Sequence, residues 1–600
     1  MTYIWFRENQ VRLAREVAAV EQLRTSSQWL IHAQWATDRH LYLDAVIRAH
    51  GHDYPVRLDY PAYFPDVPPT IRPTNAQFRW TSHQYGGING PLCLQWGPDT
   101  WLPEVTGAQV LESAYALFHQ ENPMGQGHAE YANPAPSRHH LEAGQELRFQ
   151  WGRFYVGQQL VSVLQAQPTG TLGIVRFSAS AHDKIWFVLV HEVEVPGELP
   201  TLVDDSIPAF IRGENDKNLD LGVFFQTNLA PEALNEISLA YHLRGLLWQN
   251  RFDIGMLSKE VQPNALGLTT RPLGVFVLDN TNAIHFFMLL NDKVYKLGAV
   301  HTAVNAGVQR MPEYLEGLAE KSIGIVGLGS AGSKIAISLA RMGARSFYLV
   351  DYDVFLPENV ERNELDWGSV GEHKVDAVRE QLSRVNAKIE VDVSYLHLTG
   401  QESNAAVAHT IEQLSRRDII IDATANPAVF NVLAAVATAA NKPMVWLEVF
   451  GGGTGGLIAR SRPGRDPEPR RIRQVYKDYC DEHPASQGAQ LDNYAAEDAE
   501  GRVRTASDAD VSIIAANAAR LAVDTVLERD PSAYPYSLYL IGLEPWWVFT
   551  QAMHTIPIPT EHVRQEAPAA EPAPIDDEKI RTLISELIDS AHADANPATP

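Results

Sequence analysis

The chain has 600 residues, 45% of them hydrophobic and 20% charged, an ordinary globular balance spread over too great a length for one core, so three or four domains are expected. A formal charge of −24 excludes a nonspecific nucleic-acid or membrane-surface binder, because phosphates would be repelled, and stays compatible with a basic protein partner. Two cysteines exclude a disulfide framework, and the charged opening MTYIWFRENQVRLAREV gives no signal peptide, so a cytoplasmic protein with two reduced thiols is expected.

Residues 8–24 read as an amphipathic helix, with Val11, Leu13, Ala14, Val17, Val20 and Leu23 largely on one side. WLIHAQW, LYLDAVI and YPVRLDY follow as strands. In YPAYFPDVPPTIRP five prolines forbid helix and force an extended path. Next comes GPLCLQWGPDTW, which holds Cys93 between two leucines, and then a helix over 106–120. NPAPSRHHLEAGQ (133–145) reads as a linker. Residues 146–310 hold strand signals (WFVLVHEVEV, LGVFFQT, PLGVFVLD, AIHFFMLL) and a helix near 231–247, without a chemical motif. From Lys321 the pattern alternates strand and helix, the mark of a parallel α/β sheet. VRQEAPAAEPAPIDD is a solvated linker before a final amphipathic helix, EKIRTLISELIDSA.

SIGIVGLGSAGSKIAISLARMGARSFYLVD runs strand, glycine turn, helix, strand, acid. Gly327, Gly329 and Gly332 form G-x-G-x-x-G, where missing side chains admit a phosphate to backbone amides at a helix N-terminus. Asp351 ends the next strand, placed for a ribose hydroxyl. Any dinucleotide oxidoreductase shares this much. Asn359, Arg362 and Lys374 then follow Asp351 by 8, 11 and 23 residues, and such cations suit phosphate transfer better than hydride transfer.

This set resembles the adenylation domain of ubiquitin-activating enzymes and their ThiF/MoeB-type bacterial relatives that activate sulfur-carrier proteins. The resemblance covers about residues 305–550, including DIIIDATANPAVFNVLAAVATAANKPMVWLEVFGGGTGG. It implies ATP and Mg²⁺ as cofactors, with Gly327, Gly329, Gly332, Asp351, Asp353, Asn359, Arg362 and Lys374 at the nucleotide. The family usually reads D-x-T-D-N where this chain has Asp422-Ala-Thr-Ala425-Asn426. The usual metal-orienting aspartate is therefore absent, and Asp422, with Asp353 as the alternative, becomes the candidate for Mg²⁺. The resemblance also implies a homodimer through this domain that lends an arginine across its interface; Arg310 is the nearby candidate and its spacing matches poorly.

Cys480 lies 24 residues after the glycine-rich crossing, in the polar segment RRIRQVYKDYCDEHP. Asp478, Asp481 and Glu482 push its pKa up, while Lys477, His483 and Arg470, Arg471 and Arg473 push it down. In an activating enzyme a thiol here accepts the acyl group.

Residues 1–140 resemble a ubiquitin-conjugating enzyme. His83 stands ten residues before Cys93, Gly90 three before it, Leu94 just after, Trp101 and Pro103 at plus eight and plus ten, with a helix and Asn122-Pro123 beyond. The resemblance makes Cys93 a thioester carrier. Where that family has His-Pro-Asn, this chain has His83-Gln84-Tyr85, leaving Asn89 or the Gly86–Gly87 amides as candidate oxyanion donors.

The expected fold is thus α/β and multidomain. Residues 1–140 form an α+β ubiquitin-conjugating-like domain, 146–305 a β-rich linker or middle domain of unassigned role, 306–555 a Rossmann-like adenylation domain with its cysteine, and 556–600 a tail with a short helix. Conjugating module first and activating module last resembles the fused enzymes of bacterial anti-phage operons of the CBASS type. That implies a cGAS-like nucleotidyltransferase or a ubiquitin-like protein, with a glycine-like C-terminal tail, as the activated partner, and a target amine as acceptor. Three other readings stand beside this one: a sulfur-carrier adenylyltransferase with an N-terminal binding module, a nicotinamide-dependent oxidoreductase, and a non-enzymatic ubiquitin-like-protein receptor.

Overall fold

The computed structural model describes residues 5–125, 150–194, 219–229, 240–249, 273–302, 311–484, 495–497, 503–560 and 577–594, less a few positions within these spans, with scattered residues between them. Nearly all of the two linkers read at 133–145 and 563–577 falls outside the described residues, as do Arg310, Gly86 and Gly87. The chain divides into two compact units, Met1–Phe149 and Gln150–Pro600.

The first unit opens with helices α1 (Trp5–Glu8) and α2 (Gln10–Ser26), followed by strands β1 (Leu30–Thr37), β2 (Leu41–Ala49), β3 (His52–Tyr60) and β4 (Thr70–Pro73), and closes with helix α3 (Gly107–Glu121). The four strands form an antiparallel meander in sequence order. Alternate residues of β2 and β3 (Leu43, Ala45, Ile47; Tyr54, Val56, Leu58) are buried and pack with Val110, Leu111, Ala114 and Phe118 of α3.

The face of α2 differs from expectation. Val11 is 83% exposed and Val17 41%, whereas Arg12 and Glu16 are buried beside Val20 and Leu23. The reason is polar satisfaction. Glu16 pairs with Arg12 at 2.8 Å and accepts from Tyr60 Oη at 2.9 Å and from Gly107 N at 2.7 Å, while Arg12 donates to the Pro103 carbonyl. The buried charges thereby tie α2 to β3 and to the start of α3.

In the second unit, β5 (Gly152–Val156), β6 (Leu172–His182), β7 (Ile185–Glu194), β8 (Asp220–Gln226), β9 (Leu273–Leu278), β10 (Ile284–Leu290) and β11 (Lys293–His301) close a barrel in the order β10-β11-β5-β7-β6-β8-β9. Helix α4 (Gln158–Gln165) follows β5, and α5 (Ala240–Gln249) is the described part of the helix expected near 231–247. The unbroken apolar run of β9 has a physical cause: Phe276 joins one core with Phe177 and Phe286, while Val275 and Val277 join another with Leu243 and Leu247 of α5.

The remainder alternates as the sequence predicts: β12 (Ser322–Val326), α6 (Ser330–Arg341), β13 (Ser346–Val350), α7 (Lys374–Val385), β14 (Glu390–Ser394), α8 (Asn404–Ser415), β15 (Ile419–Asp422), α9 (Pro427–Ala439), β16 (Met444–Phe450), β17 (Gly455–Ser461) and α10 (Pro469–Glu482). A hairpin of β18 (Ala495–Glu497) and β19 (Val503–Thr505) precedes α11 (Asp508–Val526), β20 (Leu538–Gly542), β21 (His554–Ile558) and α12 (Asp577–Asp594). The eight-stranded sheet runs β14-β13-β12-β15-β16-β17-β20-β21, parallel as far as β16 and antiparallel beyond. One face is covered by residues of α6, α7 and α11 (Ala336, Leu339, Val378, Ile514, Ala518), the other by α8, α9 and α10 (Leu414, Phe430, Leu433, Ile472). The sheet is therefore doubly wound. Strand order reverses between β12 and β15, and ligands of such sheets bind at the carboxyl ends of strands at that point. Among the described residues no helix is long and apolar enough to cross a membrane.

Candidate active site

The glycine turn lies at this reversal. Gly327 leaves β12 at φ +87°, and a β-carbon there would stand 2.8 Å from Thr424 Cγ2. At Gly332 a β-carbon would stand 1.8 Å from the Gly327 carbonyl oxygen, which no side chain survives. Gly329 is the N-cap of α6, so the first amides of that helix open toward the crevice.

Asp351, just past β13, fastens this turn. Its Oδ2 accepts from Leu328 N at 2.6 Å and its Oδ1 from Asp353 N at 2.9 Å. Asp353 in turn forms an ion pair with Lys374 Nζ, and Lys374 N donates to the Asp353 carbonyl at 3.0 Å. Lys374 is buried in the first turn of α7. Asn359 Oδ1 accepts from Leu356 N at 2.9 Å, closing a short turn, and Arg362 N donates to the Asn359 carbonyl at 3.1 Å. Side-chain contacts thus join Asp351 to the glycine turn and Asp353 to Lys374, whereas Asn359 and Arg362 join each other through main chain. Sequence reasoning passed over Lys334. It is buried one turn into α6, with Asp508 Oδ1 at 2.6 Å and Glu364 Oε2 at 3.9 Å, a pairing across 174 residues that no local signal announces.

Asp422 stands opposite Val326 in the β12–β15 ladder. Only 3% exposed, it accepts through Oδ1 from Thr424 N at 3.0 Å and Thr424 Oγ1 at 2.6 Å. Burial pushes its carboxyl up to about 6, against the Thr424 bonds and the Arg473 charge. Arg473, on α10, lies 3.9 Å from Glu448 and packs over the Phe430 ring. Burial raises Glu448 as well, with Asp422 adding to the rise.

This buried polar group leads along α10 to Cys480. The thiol is half-buried in the last turn of the helix, where Tyr476 hydrogen-bonds to it. Its pKa is raised, first by burial and then by Asp481 and Glu448, with the Tyr476 bond opposing. The balance therefore falls on the side of the neutral thiol, because burial, with Asp481 and Glu448, outweighs the Tyr476 bond. Tyr479 stacks on His483 at 4.3 Å and packs edge-on to Trp547, whose indole donates to the His483 carbonyl.

Cys93 occupies a different frame. An isolated bridge pairs Gln84 with Leu92, and bonds from Cys93 N to the His83 carbonyl (2.6 Å) and from Tyr85 N to the Pro91 carbonyl (2.8 Å) lock the two segments together. Leu92 N donates to the Ile71 carbonyl at 2.7 Å, attaching the pair to β4. The His83 ring reaches Glu121 Oε1 at 3.3 Å, a structural tie to α3. Trp101 Nε1 donates to the Pro65 carbonyl at 2.6 Å. The Tyr85 hydroxyl lies beside the sulfur.

A doubly wound nucleotide-binding fold with an acid-fastened glycine turn is what the C-terminal region presents. Residues 305–531 match the ThiF family, so this region carries a ThiF-family adenylation domain. Molybdopterin-synthase adenylyltransferase of Escherichia coli is 33% identical over 131 residues, 22% of this chain and 50% of that protein. Ubiquitin-like modifier-activating enzyme 5 of Caenorhabditis elegans is 28% identical over 157 residues, 25% of this chain and 37% of that protein. The chain thus spans half or less of the length of these curated relatives. Among solved structures, E. coli MccB with ATP aligns at 17% identity and a TM-score of 0.31, over 41% of this chain and 65% of that one.

Proposed function

We propose that this protein activates the C-terminal carboxylate of a partner protein with ATP and passes the acyl group to Cys480, then to Cys93, then to a target amine. The observation that carries the reading is the Asp351 fastening of the glycine turn, with Lys374 and Arg362 following on the same chain segment. A glycine carboxylate is ionised near neutral pH and needs no general base; it attacks the α-phosphate and pyrophosphate leaves. Backbone amides at the start of α6, with Arg362 and Lys374, offset the charge that builds on the phosphates. Asp351 serves the ribose. Mg²⁺ bound to the triphosphate would supply further charge neutralisation, and a single carboxylate suffices beside phosphate oxygens; Asp422, at the end of β15 with Oδ1 held by Thr424, would be the residue to hold it. A metal cage of protein carboxylates is not needed, and the described residues hold no cluster of three or more metal-ligating side chains.

In the same reading the first unit is a ubiquitin-conjugating-like carrier. Its support is the helix–meander–helix order and the Cys93 segment bridged to Gln84 beside α3. The partner is a ubiquitin-like protein or a cGAS-like nucleotidyltransferase with a glycine-like tail, the setting is anti-phage defence in the cytoplasm, and the adenylation domain pairs as a homodimer. A sulfur-carrier adenylyltransferase is the second reading, favoured by the molybdopterin-synthase adenylyltransferase likeness. Incubation with ATP and a glycine-tailed partner, followed by a non-reducing gel, separates the two. Reducible adducts on both cysteines and a product that resists thiol support the relay; pyrophosphate release with neither adduct sinks it.

A further inference from the structure

We infer that the Tyr85 hydroxyl is the hydrogen-bond donor that holds the Cys93 sulfur as a thiolate when it attacks and when it leaves. The inference rests on the reading of Cys93 as an acyl carrier. Three observations converge on it. First, Tyr85 has little freedom: its amide is bonded to the Pro91 carbonyl, and its neighbour Gln84 is bridged to Leu92, so the ring leaves a backbone pinned beside Cys93. Second, the two preceding side chains are committed elsewhere. His83 reaches Glu121, while Gln84 accepts from Trp80 N at 3.1 Å and donates to the Ile88 carbonyl at 2.7 Å. Third, Tyr85 and Cys93 flank the Gln84–Leu92 bridge on one face of the paired segments, and the hydroxyl lies near enough to the sulfur for Cys93 to raise it.

The phenol also stays a donor at working pH. Burial and the adjacent Cys93 and Asp99 push it up to about 12, so its proton remains on oxygen. During loading, Sγ forms a bond to the acyl carbon and the delivering sulfur departs with its electron pair. During discharge, an amine nitrogen bonds to that carbon, the C–S pair returns to Sγ, and the ammonium proton passes to solvent. In both steps Sγ carries charge at the moment Tyr85 faces it, and a hydrogen bond to a charged group is stronger than one to a neutral group. Touching the reacting atom, Tyr85 is a catalytic residue in this scheme.

The test uses the full chain with Cys480→Ala, which leaves Cys93 as its one thiol. Iodoacetamide alkylation is followed from pH 6 to 11. Tyr85→Phe is expected to shift the midpoint up by about half a unit to one unit, slowing the reaction about 3- to 10-fold at pH 7.5 with the high-pH plateau unchanged. Replacing Tyr85 with 3-fluorotyrosine, a slightly more acidic phenol of nearly the same shape that still holds its proton at pH 7.5, is expected to shift it down, and decides the matter if Tyr85→Phe misfolds. Loading with the 2-mercaptoethanesulfonate thioester of N-acetylglycine and discharge to free lysine should slow by a similar factor in Tyr85→Phe. An unmoved midpoint, or a plateau lowered at every pH, overturns the inference. If the midpoint shifts but wild-type protein with ATP and a glycine-tailed partner never loads Cys93, the relay fails while the Tyr85–Cys93 bond stands.

Discussion

One turn of α10 separates Tyr476 from Cys480, and the tyrosine hydroxyl hydrogen-bonds to the sulfur. Residues four apart on a helix are neighbours, so the contact follows from the coil itself. It opposes three influences that favour the neutral thiol: burial, Asp481 and Glu448. Helix carbonyls in the last turn act the same way. In a Cys93→Ala protein, Cys480 alkylation should therefore rise through a pH above that of an ordinary thiol. Tyr476→Phe should slow it about 3- to 10-fold at pH 8, and Asp481→Asn should speed it. Alkylation rates against pH check all three, and a faster Tyr476→Phe would contradict the contact.

Asp351 fastens the turn, and in the proposed function it also meets the ribose, so Asp351→Ala should abolish ATP–pyrophosphate exchange. Lys374→Ala and Arg362→Ala remove charge from the phosphates, and each should lower exchange by about 10² or more. Lys374→Ala also leaves Asp353 without its ion-pair partner. Exchange within a factor of two of wild type in all three variants would remove the nucleotide site from this region.

The glycines separate stability from binding. Gly332→Ala drives a β-carbon into the Gly327 carbonyl oxygen, and overpacking of this kind costs about 1–3 kcal/mol or more. It should lower the thermal midpoint measurably. Gly329 has φ −66°, outside the left-handed region, so Gly329→Ala should lower the midpoint less than Gly332→Ala while raising the KM for ATP in exchange. Equal thermal losses in the two variants would contradict this division.

What could be read from the sequence follows from where backbone geometry leaves a residue-type signature. A strand that must end in a left-handed turn under a helix needs Gly327 and Gly332, and a parallel sheet needs its runs of Ile, Val and Leu; both are visible as letters. The buried side of α2 was not visible, because periodicity assigns Arg12 and Glu16 to solvent, and only the Tyr60 hydroxyl and Gly107 amide, far along the chain, make their burial tolerable. Barrel closure was hidden for a related reason: it depends on the parallel pairings of β5 with β11 and of β8 with β9, between segments distant in sequence. At Cys480 the acidic neighbour Asp481 raises the thiol as the sequence suggests, but burial and the tyrosine contacts come from the fold alone. Lys477 and His483 flank Cys480 in the text, whereas helical geometry sets Tyr476 against the sulfur and β-bridge geometry sets Tyr85 against Cys93.

Asp422 gives the fold a pH dependence whose sign can be worked out. Its carboxyl is raised by burial from the ordinary value of 3.8 to about 6, so the folded protein holds the proton more tightly than the unfolded chain. The stabilisation that this proton provides is complete below about pH 4 and is lost as pH rises through about 6. The shift corresponds to a difference on the order of 3 kcal/mol across that window, with the opposing Arg473 charge already included. Asp422→Asn keeps the Oδ1 acceptor for Thr424 and removes the charge. Relative to wild type, the variant should be nearly neutral at pH 4.5 and more stable at pH 7.5, by an amount that grows between the two. Urea midpoints for the second unit's unfolding transition, measured every half unit, give the curve. A stability difference that stays flat with pH would show that this carboxyl titrates alike in the folded and unfolded chains.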